Sequence, residues 1–155
     1  LMLRRPPRST HCISSAASDV YKRQQPIAKI ENATITELNS AISSLASDYN
    51  TLIKIQTVSN SDNDRTIDTY DSQGNRVFVG FEGDLRKALN SLRDASALSK
   101  AQVTTFTYDP LIGVTSITDP RGQTIYYEYD SFNRLKQVKD KEGNILSENE
   151  YNYKN

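Results

Sequence analysis

The feature that most constrains this chain is a period of 21 residues in its last third. Thr107-Tyr108-Asp109 recurs as Glu128-Tyr129-Asp130, and the same offset carries Val114 to Leu135, Ile117 to Val138, Asp119 to Asp140 and Gly122 to Gly143. A period of this length is the mark of stacked supersecondary units. Thr104 to Tyr108 and Thr124 to Tyr129 are rich in Thr, Ile, Phe and Tyr, which favour a half-buried pleated surface, so both read as strands. Asp130-Ser131-Phe132-Asn133 places a side-chain acceptor first and a residue tolerant of φ > 0 last, which reverses the chain into Arg134 to Val138. Asp119-Pro120-Arg121-Gly122 and Asp140-Lys141-Glu142-Gly143 predict a second reversal in each copy. Each repeat is then a strand, a turn, a strand and a turn.

These residues resemble the YD repeat of Rhs and teneurin-like proteins, YD-x-x-G-R-L-x-x-x-x-D-P-x-G. The resemblance rests on Tyr108, Asp109, Asp119, Pro120 and Gly122 in one copy and on Tyr129, Asp130, Asn133, Arg134, Leu135, Asp140 and Gly143 in the next. Asn133 stands where Gly is usual, Lys141 replaces the turn Pro, and Ile112 takes the Gly position of the first copy with Gly113 one place late. An Ile at φ > 0 would be strained, so that first turn is expected to be rearranged around Pro110 and Gly113. After Gly143 the period slips: Tyr151 and Tyr153 follow Tyr129 by 22 and 24 residues with no Asp after either. That end reads as a decayed strand capping the array.

The resemblance implies a segment of a large secreted or cell-surface β shell, partnered by the rest of its own repeat array. It also implies two alternatives, carbohydrate binding for adhesion and the scaffold of a polymorphic toxin. No DPxGL release motif is present, since Gln123 follows Gly122, so the expectation is the C-terminal end of a toxinless surface protein. For glycan contact the candidates are Tyr126 and Tyr127, adjacent in a strand and therefore on opposite faces. Packing within the sheet is the competing reading of all the strand aromatics.

Residues 1–24, LMLRRPPRSTHCISSAASDVYKRQ, resemble the conceptual translation of a sequencing-library adapter; a solvated, disordered tail is the alternative. The stretch lacks the apolar run of a secretory signal, and Pro6-Pro7 opposes an amphipathic targeting helix. It holds the only His and the only Cys, His11 and Cys12. Without it, fourteen basic residues face eighteen acidic ones, about −4 net. A mildly acidic surface gives no electrostatic case for nucleic acid. No apolar run reaches the length of a membrane helix, so no membrane insertion is expected.

Between residues 25 and 101 the pattern is helix, hairpin, helix. Thr34-Ile35-Thr36-Glu37 fits a capping box, and Ile35, Leu38, Ile42, Leu45, Tyr49 and Leu52 form an apolar seam at spacings of 3 and 4. That seam suits either a helix packed on the β repeats or a short oligomerising stalk. Ser59-Asn60-Ser61-Asp62-Asn63-Asp64 reads as a loop; Asp62 and Asp64 have a calcium-loop spacing, but the Gly and Glu of an EF-hand are missing. Thr66 to Tyr70 and Val77 to Phe81 flank Asp71-Ser72-Gln73-Gly74-Asn75 as a hairpin, which matches the opening of a YD repeat and reads as a divergent copy. A second helix is predicted from Asp84, as N-cap, to about Lys100, with Leu85, Ala88, Leu89, Leu92 and Ala95 on one stripe.

The predicted class is α+β, with helices segregated from an antiparallel sheet: a leader (1–24), a helix-hairpin-helix region (25–101) and a YD-repeat segment (102–155). A body without His or Cys offers no nucleophile-base pair, and no glycine-rich phosphate loop is present. Asp109 and Asp130 could form a carboxylate pair for glycoside hydrolysis, but turn capping explains both. No enzyme activity, no cofactor and no metal site are expected.

Overall fold

The computed structural model describes residues 9–15, 25–49, 67–109 and 112–152, with backbone alone at 9–15 and 25. The strands are β1 (Ser9–Ser15), β2 (Gln25–Ala33), β3 (Thr69–Tyr70), β4 (Arg76–Val77), β5 (Gln102–Asp109), β6 (Gly113–Thr118), β7 (Thr124–Tyr129), β8 (Leu135–Lys139) and β9 (Ile145–Glu148). The helices are α1 (Ile35–Ser44) and α2 (Gly80–Arg93), followed by a 3-10 turn at Ser96–Leu98. β3 and β4 form a separate hairpin, while the others make one antiparallel sheet in the order β1-β2-β5-β6-β7-β8-β9. The fold is α+β, as the sequence predicts.

Four elements differ from the sequence reading. Ser9–Ser15 lies on the edge of the sheet, paired with β2, where a solvated tail was one expectation for the leader. β2 has no counterpart in the sequence reading: buried Ala28 and Ile30 alternate with the half-exposed Lys29 and Glu31, but that alternation spans only four residues and Ile27, out of phase with it, is also buried. Asn32 then takes φ 60 and donates from Nδ2 to the Lys100 carbonyl at 3.0 Å, which turns the chain out of β2.

The capping box at Thr34 is formed in both directions, Glu37 N donating to Thr34 Oγ1 at 3.2 Å and Thr34 N to Glu37 Oε2 at 2.8 Å. The first helix breaks at Leu45, and helical backbone resumes at residues 47–49. Ser43 and Ser44 bond back to the carbonyls of Asn39 and Ala41, at 2.7 Å each, and compete with continuation of the helix. Leu38 and Ala41 are buried, and Ile42, Leu45 and Tyr49 pack on the core, whereas Ile35 at the head of the proposed seam is 56% exposed. Among the described residues the seam is therefore core packing. Leu52, Thr66 and the loop from Ser59 to Asp64, with Asp62 and Asp64, lie outside them.

The second helix begins four residues before Asp84, which sits inside its first turns rather than at the cap. The early start has a cause in packing: Gly83 lies so close to Phe78 that an added Cβ would stand 3.0 Å from its carbonyl carbon and 3.2 Å from Asp68 Oδ1. The Asp68 carboxylate also accepts from Val79 N at 3.4 Å, supplying negative charge at the helix start. The helix ends at Arg93 rather than near Lys100. Its Leu85, Ala88, Leu89 and Leu92 pack with Ile27, Ile30, Leu98 and Val103 to form the apolar core over β2 and β5.

Candidate functional site: the repeat staples and the buried charge cluster

The four described aspartate turns of this chain share one geometry. In each, the aspartate Oδ1 accepts from the backbone N–H two and four residues on: Asp71 from Gln73 and Asn75, Asp119 from Arg121 and Gln123, Asp130 from Phe132 and Arg134, Asp140 from Glu142 and Asn144. The fourth residue of each turn takes the left-handed conformation: Gly74 at φ 80, Gly122 at 82, Asn133 at 60 and Gly143 at 86. This is the three-residue hairpin loop, a type I turn closed by a left-handed residue. Asp71 to Asn75 is thus a copy of the repeat turn, although β3 and β4 are only two residues long. The carboxyls of Asp71, Asp130 and Asp140 are all held below the usual aspartate value, by bonds led by the Asn75 amide, the Arg134 guanidinium and the Asn144 side chain respectively.

Turn Asp109 differs, as Ile112 and Gly113 predict. The Asp109 carbonyl accepts from Ile112 N at 3.0 Å, and Gly113 takes φ 152 opposite Asp109. Pro110 lies outside the described residues. The space Gly113 leaves is filled by Tyr129: its hydroxyl would stand 2.7 Å from a Cβ there, and it donates to the Val114 carbonyl at 2.9 Å.

One repeat further on, Tyr151 Oη donates to the Leu135 carbonyl at 2.9 Å, and Leu135 is 21 residues beyond Val114. The slipped Tyr151 therefore performs the Tyr129 role. Arg134 links the two units, pairing with Asp130 Oδ2 at 2.6 Å through Nη2 and lying 4.2 Å from the centroid of the Tyr151 ring. Tyr108 has its ring stacked on Phe106 at 6.3 Å. Tyr153 lies outside the described residues.

A second repeated device is a bulge. Thr107 pairs with Ser116 and Tyr108 with Val114, which leaves Thr115 as an extra residue; Glu128 pairs with Gln137 and Tyr129 with Leu135, which leaves Lys136. The two bulges are 21 residues apart. In the first copy Thr115 and Ser116 both reach Thr107 Oγ1, at 2.8 and 2.5 Å, so all three hydroxyls share the helix side of the sheet.

Onto those hydroxyls α2 lowers a carboxylate. Glu82 Oε1, in a side chain 1% exposed, accepts from Thr107 Oγ1, Thr115 Oγ1 and Arg86 Nη1 at 2.7 Å each. With both threonine protons so used, Ser116 is the donor to Thr107. Arg86 then grips Asp68 as a fork, Nε to Oδ2 and Nη2 to Oδ1, both 2.9 Å. Tyr126 Oη donates to Asp68 Oδ2 at 3.1 Å and accepts from Arg76 Nη2 at 2.9 Å, and Arg76 also reaches Thr124 Oγ1 at 2.8 Å. Arg76 Nε lies 2.9 Å from Asp68 Oδ2, within ion-pair range but off the hydrogen-bond direction.

Two carboxylates and two guanidinium groups thus neutralise one another beneath the hairpin. Burial works against the charge of Arg86, but the hydrogen bond and charge of Asp68, with Glu82, outweigh it and raise its pKa. Burial also raises the Tyr126 phenol. The sequence reading singled out none of Asp68, Glu82 or Arg86. The i, i+4 spacing of Glu82 and Arg86 is the one available signal, and a helix predicted from Asp84 hides it.

Tyr126 is 2% exposed, with Arg86 5.4 Å from its ring centroid, so it offers no open ring to a sugar. That corrects one of the two glycan candidates. Tyr127, on the opposite face, is half-buried; both tyrosines border a groove of about 250 Å³ that is also lined by Ile67, Glu82, Thr115, Glu128, Tyr129 and Lys136. Among the described residues, no cluster of His, Cys, Asp or Glu could hold a metal ion, and no helix is long and apolar enough to cross a membrane.

The class so defined is an antiparallel β-hairpin repeat, stapled by tyrosine, aspartate and arginine and covered on one side by helices. Residues 113–145, from β6 to the first residue of β9, match the family model described as RHS Repeat. This stretch of the chain thus carries the sequence pattern of an RHS repeat. Neither a curated protein nor a solved structure matches it.

Proposed function

We propose that this protein is a non-enzymatic structural and interaction segment of a secreted or cell-surface RHS-repeat β shell, in which α1 and α2 close one face of the array and further repeats continue it. The observation that carries this reading is where the motif side chains go. Tyr129 and Tyr151 bond carbonyls of the preceding strand, and Asp119, Asp130 and Asp140 bond the amides of their own turns. Groups used in this way are strand staples, and repeat arrays gain stability from each neighbouring unit. Grafting one more unit, copied from residues 119–139, beyond β9 should raise the melting temperature; an unchanged melt counts against the array. Antibody labelling of intact producing cells tests the location: signal only after lysis contradicts it.

The groove beside Tyr127 favours a second reading, carbohydrate binding. Its lining sets the half-buried tyrosines Tyr127 and Tyr129 beside Glu128 and Lys136, aromatic surface next to groups that bond hydroxyls. On a glycan array, binding lost on Tyr127→Ala with the melt retained supports it, and binding that survives Tyr127→Ala excludes it.

A further inference from the structure

We propose that the protein binds a small carboxylate-bearing molecule in the cavity between the C-terminal end of α2 and the β6–β7 turn, with Arg93 and Arg121 as its charged contacts. The cavity measures about 400 Å³ and is lined by Asn90, Arg93, Asp94, Ser99, Pro120 and Arg121 among others. A volume of that order holds a molecule of several heavy atoms rather than a bare ion.

Arg93 distinguishes the place. Arg76, Arg86 and Arg134 each have a carboxylate within ion-pair distance. Arg93, half-buried, bonds only neutral acceptors among the described residues: Val103 O at 3.4 Å, Thr105 Oγ1 at 3.0 Å, Thr118 O at 3.4 Å and Asn90 Oδ1. Burial lowers its pKa, against which the charges of Asp94 and Asp119 pull only in part. Its Nη1 carries two protons, of which Asn90 takes one. Arg121, exposed in the turn across the cavity, brings a second guanidinium fork, and two such groups match the two oxygens of a carboxylate.

The nearby acids do not fill this role. Asp119 Oδ1 is turned into its own loop, accepting from Arg121 N at 2.9 Å and Gln123 N at 2.8 Å. Asp94 is exposed at the rim and opposes an incoming anion. Its neutralisation gives the test a readout that a purely structural Arg93 would not move.

The experiment is an amide-resolved NMR titration of the full chain with glucuronate, with glucose as the uncharged control. Saturable shifts at Ser99 and Gly122 with glucuronate, and none with glucose, are expected. Arg121→Ala should weaken binding about tenfold while leaving the melt unchanged, since a charge-assisted bond is worth that much. Asp94→Asn should tighten it several-fold. The proposal is overturned if glucuronate gives no saturable shift, if glucose matches it, or if neither substitution changes the affinity.

Discussion

Replacing Asp68 by Asn is the sharpest perturbation of the charge cluster, because it keeps the shape and removes only the charge. Asp68 has no solvent exposure, and Arg86 has 3%. In the variant two guanidinium groups face Glu82 alone, so one positive charge is left buried without its counter-ion. Breaking a buried pair in this way costs about 3–5 kcal/mol. With a urea slope of about 2 kcal/mol/M, the unfolding midpoint should fall by roughly 2 M. The exposed pair Lys29–Glu31, at 45% and 39% exposure, is the internal control; Lys29→Ala should change stability by no more than about 1 kcal/mol. A cycle of Asp68→Asn with Arg86→Gln should show coupling of about 2 kcal/mol. A loss below about 1 kcal/mol for Asp68→Asn, or additive losses in the cycle, would refute the view that this cluster seats α2 on the repeat sheet.

Other consequences follow from the staples. Tyr129→Phe removes the bond to Val114 and should cost about 1 kcal/mol in a chemical melt. Gly113→Ala places a Cβ against the Tyr129 hydroxyl, so its cost should be partly relieved in the Tyr129→Phe background; full additivity would contradict the contact. Gly122→Ala and Gly143→Ala meet open space, so only their φ is strained, and each should cost about 1–2 kcal/mol by thermal melting. Asp71, Asp130 and Asp140 titrate lower in the folded chain than in the unfolded one. Their stabilisation is therefore fully present above the ordinary aspartate pKa of 3.8 and is lost as pH falls through the lowered folded values. Asp130→Asn, read by melts from pH 6 to about pH 2, should flatten that acid limb; an unchanged limb would argue against it.

The repeat half of the fold was legible because its determinants are local. An aspartate followed three residues later by Gly or Asn fixes a turn whatever lies around it, and this held at Asp119, Asp130 and Asp140 and at the isolated Asp71 hairpin. The capping box at Thr34 was legible for the same reason. What local chemistry could not give was the partner of each surface. β2 is defined by its place between β1 and β5, and its alternation, Ala28-Lys29-Ile30-Glu31, is only four residues long. Asp68 reads as one more acid in a polar stretch until Arg86, 18 residues on, and Tyr126, 58 residues on, are brought against it. The face of β5 to β7 beneath α2 is threonine, serine and tyrosine rather than aliphatic, so an amphipathic pattern would not have shown that a helix covers it. Tyr126 and Tyr127 are correctly placed on opposite faces by strand geometry, yet which face is closed depends on Asp68 and Arg86.

The most direct test of the account is the strand register in solution, read from cross-strand NOEs. Thr107 should face both Thr115 and Ser116, Glu128 should face both Lys136 and Gln137 one period later, and Tyr126 should contact Arg86. Finding both bulges 21 residues apart, with α2 over the first, is the predicted result. A ladder without bulges, or a Tyr126 ring free of α2, would contradict it.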